Sequence, residues 1–286
     1  MKALTPCEKI ERSINKKFRA GLWRPFIEGI KRYNLINEGD RIAVCISGGK
    51  DSMLMAKLMQ ALHRYSEFPF GLEFIVMDPG YNEINRQKVI ANATMLEIPI
   101  SIFQSNIFET VVKTDRSPCY LCARMRRGFL YAHAQKLDCN KIALGHHLSD
   151  VIETALMNMF YGSEFGTMMP KLKSKNYPGM ELIRPMYCVH EEAIIAWARY
   201  NGLTFIQCAC PLSESCNVFD ASGGVSKRQE VKALLKQLRR DNKDVETSIF
   251  TSLHRVNLDT VLGYRQGKQE FSFLDEWGEA ATYKGE

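Results

Sequence analysis

The fold is indicated most clearly by one stretch, Arg41-Ile42-Ala43-Val44-Cys45-Ile46-Ser47-Gly48-Gly49-Lys50-Asp51-Ser52. Its first six residues are mostly apolar and β-branched, which predicts a buried strand. Two glycines follow shortly after, and glycine allows tight turns and close backbone approach. A helical pattern begins at Ser52. The order of strand, glycine turn and helix predicts an anion site, because the free amides at a helix start carry partial positive charge.

The same alternation continues towards the C-terminus. Strands separated by helices of about 10–15 residues predict an α/β protein with a doubly wound, mostly parallel, Rossmann-like sheet. In such sheets the ligand binds beyond the carboxyl ends of the strands. The predicted strands after the first are Leu72–Met77, Ile98–Phe103, Lys141–Leu144 and Glu181–Ile183, with Leu203–Gln207 extended; the predicted helices are Ser52–Tyr65, Ile84–Leu96, Leu121–Leu137, Asp150–Phe160 and His190–Tyr200.

Three regions are expected along the chain. Residues 1–35 form a basic helical segment that Pro25 interrupts, and residues 36–215 form the α/β domain. Residues 216–286 form a helical C-terminal region that ends in a helical or frayed tail. Glycines, prolines and lysines at residues 162–180 predict a mobile basic loop inside the α/β domain.

The net charge of +6 is unevenly distributed. Residues 1–35 carry nine Lys and Arg against three Glu, and residues 225–243 carry seven against two acids. Such patches favour a polyanionic partner, although two solvated helix faces are the alternative. The chain has no long apolar run and its first residues lack the apolar core of a secretory signal, so we expect a cytoplasmic protein without membrane contact.

The glycine loop differs from the common phosphate loops. A Walker-type loop needs four residues between its glycines and a hydroxyl residue directly after its lysine, and the dinucleotide fingerprint needs three spaced glycines. Here Gly48 and Gly49 would let the backbone approach an anion, the flanking serines would add hydroxyl donors, and Lys50 would add a positive charge. A purely structural turn is the alternative interpretation.

A second polar segment, Gly145-His146-His147-Leu148-Ser149-Asp150, follows the strand predicted at residues 141–144. A capping role for Ser149 or Asp150 at the start of the next helix is the plain interpretation. Asp78 follows the second predicted strand, Leu72–Met77, in the same manner. These positions would all meet at one edge of the sheet.

Nine cysteines in a chain of this size favour metal or redox chemistry over disulfides. Cys119 and Cys122 are spaced so that both sulfurs can reach one metal, and nearby arginines would lower the pKa of their thiols. Cys208 and Cys210 offer further ligands. Four cysteines would close a zinc site, whereas three would hold an iron–sulfur cluster with one open iron. The remaining cysteines in apolar contexts, Cys45, Cys139 and Cys188, are expected to be buried and inert.

The loop Ser47–Ser52 resembles the pyrophosphate loop of the PP-loop ATP pyrophosphatases, whose pattern is Ser-Gly-Gly-x-Asp-Ser. The order of motifs resembles the tRNA 2-thiocytidine synthetase (TtcA) family and its TtuA-like relatives that make 2-thiouridine. This second resemblance covers roughly residues 25–250. The motifs that carry it are the loop, Pro118-Cys-Tyr-Leu-Cys-Ala-Arg-Met-Arg-Arg-Gly128, Ala143-Leu-Gly-His-His147, Asn158-Met-Phe-Tyr-Gly162, Ile183-Arg-Pro185 and the late cysteines.

The resemblance implies ATP-dependent tRNA thiolation. ATP and Mg²⁺ would bind over the loop, the C2 oxygen of a tRNA pyrimidine would be adenylated, and sulfur delivered through a [4Fe–4S] cluster would replace it. Cytidine 32 is the expected target. The Cys-x-Cys spacing at residues 208–210 departs from the Cys-x-x-Cys of the cytidine enzymes, which keeps 2-thiouridine as an alternative. The absence of additional Cys-x-x-Cys zinc ribbons favours cytidine.

Residue roles follow from the same resemblance. The third cluster ligand is expected at Cys210, with Cys208 as the alternative. The predicted catalytic residues are Lys50 and Asp150; the ATP-binding residues are Ser47, Gly48, Gly49, Lys50, Asp51, Ser52, Met77, Asp78, Gly145 and His146; the cluster ligands are Cys119, Cys122 and Cys210; and the tRNA-binding residues are Arg126, Arg127, Lys171 and Lys173.

The implied partners are tRNA and a sulfur donor such as a cysteine desulfurase or inorganic sulfide, and analogy suggests a homodimer. Two other functions compete with thiolation. An amine-transferring tRNA enzyme of the lysidine kind would need no cysteine cluster. A non-catalytic ATP-binding, zinc-stapled RNA-binding protein would release no pyrophosphate.

Overall fold

The computed structural model of the protein describes residues 4–105, 107, 118–206 and 226–277. None of the helices in these ranges has both the length and the apolar character that crossing a bilayer requires. The helices are α1 Pro6–Asn15, α2 Arg24–Arg32, α3 Lys50–Tyr65, α4 Glu83–Met95, α5 Pro118–Lys136, α6 Leu148–Tyr161, α7 Glu191–Tyr200, α8 Lys227–Asp241 and α9 Val245–Ser252. The strands are β1 Arg41–Ile46, β2 Gly71–Asp78, β3 Ile100–Gln104, β4 Lys141–Ala143, β5 Lys171–Lys173, β6 Glu181–Ile183, β7 Gly263–Gln266 and β8 Gln269–Ser272.

Six strands form one sheet in the order β3-β2-β1-β4-β6-β5. All neighbouring strands are parallel except β5, which runs antiparallel to β6. The chain builds the sheet outward in one direction from β1 to β3 and then in the other from β4. The prediction of a mostly parallel α/β sheet is confirmed, and the reversal between β1 and β4 marks the edge where ligands bind in such sheets.

Helices cover both faces of this sheet. In β1, Ile42, Val44 and Ile46 belong to the larger apolar core, whereas Ala43 and Cys45 belong to a second core on the opposite face. This alternation follows from the two-residue period of a strand, and it explains why nearly every residue of β1 is apolar. Both faces of the strand that leads into the glycine loop are therefore buried, which holds the loop at a defined position.

The N-terminal helices belong to the larger core. Ile10 and Ile14 of α1 and Phe26 and Ile30 of α2 are buried there with the side chains of α3. Pro25 lies in the first turn of α2, after a π-helical turn at Arg19–Trp23, so the expected interruption is confirmed. The basic segment therefore packs on the α/β domain by its apolar side.

The chain divides into two compact units between Val231 and Lys232. In the second unit, Arg239 forms an ion pair with the buried Glu246. The functional boundary expected near residue 215 lies outside the described residues, and the three-region division stays a prediction.

Every strand and helix predicted between residues 41 and 200 is present, with ends shifted by at most three residues. Two segments differ from the expectation. Residues 171–173 are a strand, β5, within the predicted loop; three residues are too few to show periodicity, and lysines are common on sheet edges. Residues 263–272 form the β7–β8 hairpin in a region expected to be helical, because Gly267 supplies the positive φ of +66° that its turn needs. Residues 203–206 form no strand.

Candidate active site

A cavity of about 640 Å³ lies at the carboxyl ends of β1 and β4, where the strand order reverses. Residues at or just after the carboxyl ends of β1, β2, β4 and β6 meet there, which is the arrangement expected of a ligand site in a doubly wound sheet. The cavity is lined by Cys45, Ile46, Ser47, Asp51, Ser52, Met77, Tyr81, Arg126, Arg127, Leu130, Leu144, Gly145, His146, Asp150, Met168, Arg184 and Arg228.

The two glycines of the loop have different structural roles. Gly48 has a φ of +82°, and a Cβ there would lie 2.6 Å from Val89 Cγ2 and 2.7 Å from Ile206 Cδ1. Gly49 is the N-cap of α3 with a φ of −78°, and a Cβ there would meet nothing closer than 3.7 Å. Gly48 therefore makes the turn possible, whereas Gly49 leaves space in front of the amides of α3.

Hydroxyl groups close the loop on itself. Ser52 Oγ donates to the Gly49 carbonyl oxygen at 3.0 Å and accepts from the Ser47 backbone N–H at 3.1 Å. Tyr81, which the sequence analysis did not single out, donates from its hydroxyl to the Ser47 carbonyl oxygen at 3.2 Å. The loop shape is thus set by bonds among its own residues and one tyrosine from the β2–α4 connection.

Lys50 is held between two carboxylates. Its Nζ lies 2.9 Å from Glu191 Oε1 and 3.1 Å from Asp51 Oδ2. Burial by itself lowers the pKa of Lys50, but these two carboxylates outweigh it and the pKa is raised. Lys50 is absent from the cavity lining, so a phosphate ligand would have to draw its ammonium away from Glu191. Glu191 was not predicted, because its contact with Lys50 spans 141 residues.

The two carboxylate oxygens of Asp51 have different surroundings. Oδ2 accepts from Lys50, whereas Oδ1 is buried without a hydrogen-bond partner and lies 3.7 Å from Nε2 of His147. Asp51 also lines the cavity. A carboxylate oxygen without a hydrogen-bond partner, on a residue of the cavity wall beside a phosphate-type loop, fits a hard divalent cation such as Mg²⁺.

The Gly145-His146-His147 segment packs directly on the glycine loop. A Cβ at Gly145 would lie 3.2 Å from the backbone of Ser52, so glycine is what allows the β4–α6 connection to approach α3. Burial, followed by the charge of Arg184, lowers the pKa of His146 to about 4, and this imidazole is neutral at physiological pH. Its Nδ1 is buried without a hydrogen-bond partner in the cavity wall.

Comparison with known proteins agrees with this geometry. A model of the PP-loop domain matches residues 12–214. The tRNA-cytidine(32) 2-sulfurtransferase of Geobacter metallireducens is 33% identical over 253 residues, which cover 87% of this chain and 93% of that protein.

The chain belongs to the tRNA-cytidine(32) 2-sulfurtransferase family of PP-loop proteins.

Other relatives agree with this membership. The protein of the same name from Geobacter sulfurreducens is 36% identical over 78% of this chain and 85% of its own length. Among solved structures, the U34-tRNA thiolase NcsA from Methanococcus maripaludis, with its [4Fe-4S] cluster, has a TM-score of 0.63 and 20% identity, covering 84% of this chain and 81% of that chain. This likeness shows that the fold is shared.

Asp150 is engaged on both sides of its carboxylate. With His147 it forms a capping box at the start of α6: the His147 N–H donates to Asp150 Oδ2 at 3.0 Å, and the Asp150 N–H donates to His147 Nδ1 at 3.3 Å. Oδ1 pairs with Arg228 at 2.9 Å, and Nε of the same guanidinium donates to buried Glu153 at 2.7 Å. The N-cap is therefore His147 and not Ser149. Arg228 was missed because it lies 78 residues from Asp150.

Four arginines line the cavity of this PP-loop protein, Arg126, Arg127, Arg184 and Arg228, against the carboxylates of Asp51 and Asp150. The predicted tRNA-binding residues Arg126 and Arg127 extend into it from α5. Arg184 was not predicted, although it stands in the Ile183-Arg-Pro185 motif. The surplus of positive charge fits anionic ligands.

Three other predicted residues, Asp78, Lys171 and Lys173, do not line the cavity. The Asp78 carboxylate accepts from the backbone N–H groups of Gly80 and Tyr81 at 2.9 and 2.7 Å and so shapes the β2–α4 turn, while Met77 lines the cavity. Lys171 and Lys173 are exposed on β5, and Lys171 donates to the Asn34 carbonyl oxygen. The binding roles given to these residues stay predictions.

The Cys-x-x-Cys pair lies at the start of α5. Position 122 is four residues, about one helical turn, before the cavity-lining Arg126. The side chains of Cys119 and Cys122 are outside what the structure describes, as are Cys208 and Cys210 altogether. Within the described ranges, no group of three or more His, Cys, Asp or Glu side chains could hold a metal ion. Cys45, Cys139 and Cys188 are buried, as predicted, and burial raises the pKa of each thiol.

Proposed function

We propose that this protein is an ATP-dependent tRNA thiolase that replaces the C2 oxygen of a tRNA pyrimidine with sulfur. Cytidine 32 is the target base that its family membership favours. The observation that carries the proposal is the cavity where the PP-loop Ser47–Ser52 faces an arginine-rich wall. A site of this kind can bind a nucleoside triphosphate on one side and a second anionic substrate on the other.

In the first step, the phosphates of ATP would lie over the amides at the start of α3, in the space that Gly49 leaves. The C2 oxygen would form a bond to the α-phosphorus while the bond from that phosphorus to pyrophosphate breaks. Lys50 would leave Glu191 and stabilise the negative charge on the departing pyrophosphate. Glu191 would thus be the counter-ion that pairs with the Lys50 ammonium until ATP binds.

The two predicted carboxylates would act differently. Asp51 would hold Mg²⁺ through Oδ1, the oxygen without a hydrogen-bond partner. Asp150 is the second residue predicted to be catalytic, but both of its oxygens are bonded, to His147 and to Arg228. We therefore give Asp150 the role of orienting the first turn of α6, and any direct part in proton transfer would require Arg228 to move.

A [4Fe–4S] cluster bound by Cys119, Cys122 and Cys210 would supply the sulfur that displaces AMP from C2, because its fourth iron would be free to carry that sulfur. The support for this assignment is the placement of the Cys-x-x-Cys pair one turn before the cavity wall. The tRNA would contact Arg126 and Arg127 in the cavity, with Lys171 and Lys173 at the sheet edge. A cysteine desulfurase or inorganic sulfide would restore the sulfur, and we expect a cytoplasmic enzyme that forms a homodimer.

The test uses anaerobically prepared protein with tRNA and ATP. Pyrophosphate release is measured together with 2-thiocytidine, detected by mass spectrometry of the digested tRNA. We expect Lys50→Met to lose both products, and Cys122→Ser to keep pyrophosphate release and lose 2-thiocytidine. Lys136→Met removes the same charge from the exposed end of α5 and is the control expected to keep both.

Other outcomes would identify the competing functions. Bound zinc without pyrophosphate release would favour the RNA-binding protein. A modified base made by Cys122→Ser as fast as by the wild type would contradict the cluster and favour an amine-transferring enzyme. Formation of 2-thiouridine in place of 2-thiocytidine would keep the chemistry and change the target.

A further inference from the structure

Arg184 is a buried cation that has no carboxylate partner within the part of the chain that the structure describes. It directly follows β6, and only 5% of its surface is exposed. One terminal nitrogen donates to the Met169 carbonyl oxygen, whereas Nε is buried without a hydrogen-bond partner. Among the described residues, no carboxylate oxygen lies within ion-pair distance of its guanidinium. A buried charge in this condition is unfavourable unless an anion completes the site.

Neighbouring arginines increase the positive charge around Arg184. Arg184 lines the cavity together with Arg126 and Arg127. Burial and the charge of Arg127 both lower the pKa of Arg184, but a guanidinium does not lose its proton in proteins. The Asp150 carboxylate favours the charged form of Arg184, but Asp150 is already paired with Arg228. This part of the cavity is therefore a preformed site for an anion.

An anion bound at Arg184 would lie apart from phosphates bound at the start of α3. Neighbouring strands lie about 4.8 Å apart, and β6 is the second strand from β1 in the sheet. The backbone of Arg184 is therefore roughly 10 Å from the strand that carries the PP-loop. Arg127 and Tyr131 of α5 are close enough to Arg184 to influence its pKa, so Arg184 belongs to the part of the cavity to which α5 contributes.

We propose that Arg184 is a second phosphate site, which binds the RNA phosphodiester next to the nucleotide that is modified. The inference rests on the proposed function, since it takes tRNA as the second substrate. The planar guanidinium can bind two phosphate oxygens at once, which fixes orientation as well as position. With ATP held over the PP-loop, this contact would hold the target base between the two phosphate sites.

The test compares two substitutions of Arg184 with a control. Arg184→Met removes the charge, Arg184→Lys keeps the charge without the planar fork, and Arg199→Met removes an exposed arginine from α7. The dissociation constants of full-length tRNA and of ATP are measured separately, without turnover, at several salt concentrations. Circular dichroism shows whether each variant is folded.

We expect Arg184→Met to weaken tRNA binding by about tenfold or more and to reduce the slope of log affinity against log salt by about 0.7, the value for one single-strand phosphate contact. Arg184→Lys should weaken binding with the slope unchanged, and this variant tests the site if the methionine variant does not fold. ATP binding by both variants and tRNA binding by Arg199→Met should stay within twofold of the wild type.

Two results would contradict the assignment of Arg184 as a binding site for a tRNA phosphate. One is tRNA binding by both Arg184 variants with the wild-type affinity and salt slope. The other is weaker ATP binding with unchanged tRNA binding, which would assign the anion to the nucleotide. A wild-type protein that binds no tRNA would instead remove the proposed function, and this site with it, so the two failures are distinguishable.

Discussion

Replacing Gly48 with alanine should lower the stability of the folded protein substantially, whereas the same change at Gly49 should be tolerated. Gly48 has a φ of +82°, in the region that alanine rarely adopts. Its added methyl group would lie 2.6 Å from Val89 Cγ2 and 2.9 Å from Ile206 Cγ1. Val89 is fully packed in the larger core, so it has little space into which to move.

The cost has two parts. A left-handed backbone costs alanine about 1–2 kcal/mol, and overpacking a dense core costs about 1–3 kcal/mol. The sum is a loss of about 2–5 kcal/mol in the free energy of unfolding, or roughly 4–20 °C in Tm for a domain of this size. At Gly49 the φ of −78° suits alanine and the nearest atom is 3.7 Å away, so only its N-cap preference is lost, at about 1 kcal/mol or less.

The assay is urea denaturation of both variants and the wild type, followed by circular dichroism, with Tm measured by calorimetry. Equal slopes against urea concentration would show that the midpoints report stability. The reasoning is refuted if Gly48→Ala unfolds at the wild-type midpoint, or if Gly49→Ala loses as much stability as Gly48→Ala.

Two further predictions concern the polar groups of the cavity. Arg228→Met should destabilise the protein by about 1–3 kcal/mol, because it removes the charged hydrogen bond that Arg228 donates to the buried Glu153 carboxylate. Lys227→Met, at the adjacent exposed position, should cost less than about 0.5 kcal/mol. Urea denaturation compares the two variants, and equal losses of stability would contradict the importance of this hydrogen bond. The pKa of His146 is lowered to about 4 in the folded state, so the unfolded chain binds more protons between about pH 6.5 and pH 4. The free energy of unfolding should therefore fall as the pH is lowered through that window. His146→Asn should show a shallower fall over the same range, and an unchanged pH dependence of stability in this variant would argue against a neutral buried imidazole.

The local signals in the sequence were strong wherever an element was long or its turn chemistry was specific. The apolar run 41–46 specified β1 to the residue, and the regular alternation of strands and helices specified the sheet. The strand Lys171–Lys173 was not predicted, because three residues are too few to show periodicity. Its pairing with β6 at the edge of the sheet is a tertiary contact that the local sequence does not reveal. The hairpin at residues 263–272 had a turn glycine, Gly267, whose signal was outweighed by the polar residues around it.

The chemistry available to the loop Ser47–Ser52 can be predicted from local sequence, because glycine conformation, helix-end charge and the order of residues are local properties. How the charged groups pair around that loop depends on the folded arrangement of the chain. Lys50 rests on Glu191, Asp150 is bonded to Arg228, and Arg184 is buried without a carboxylate partner among the described residues. These pairings join residues far apart in the chain, and a charge interacts with whatever the fold brings within a few ångströms, irrespective of sequence distance.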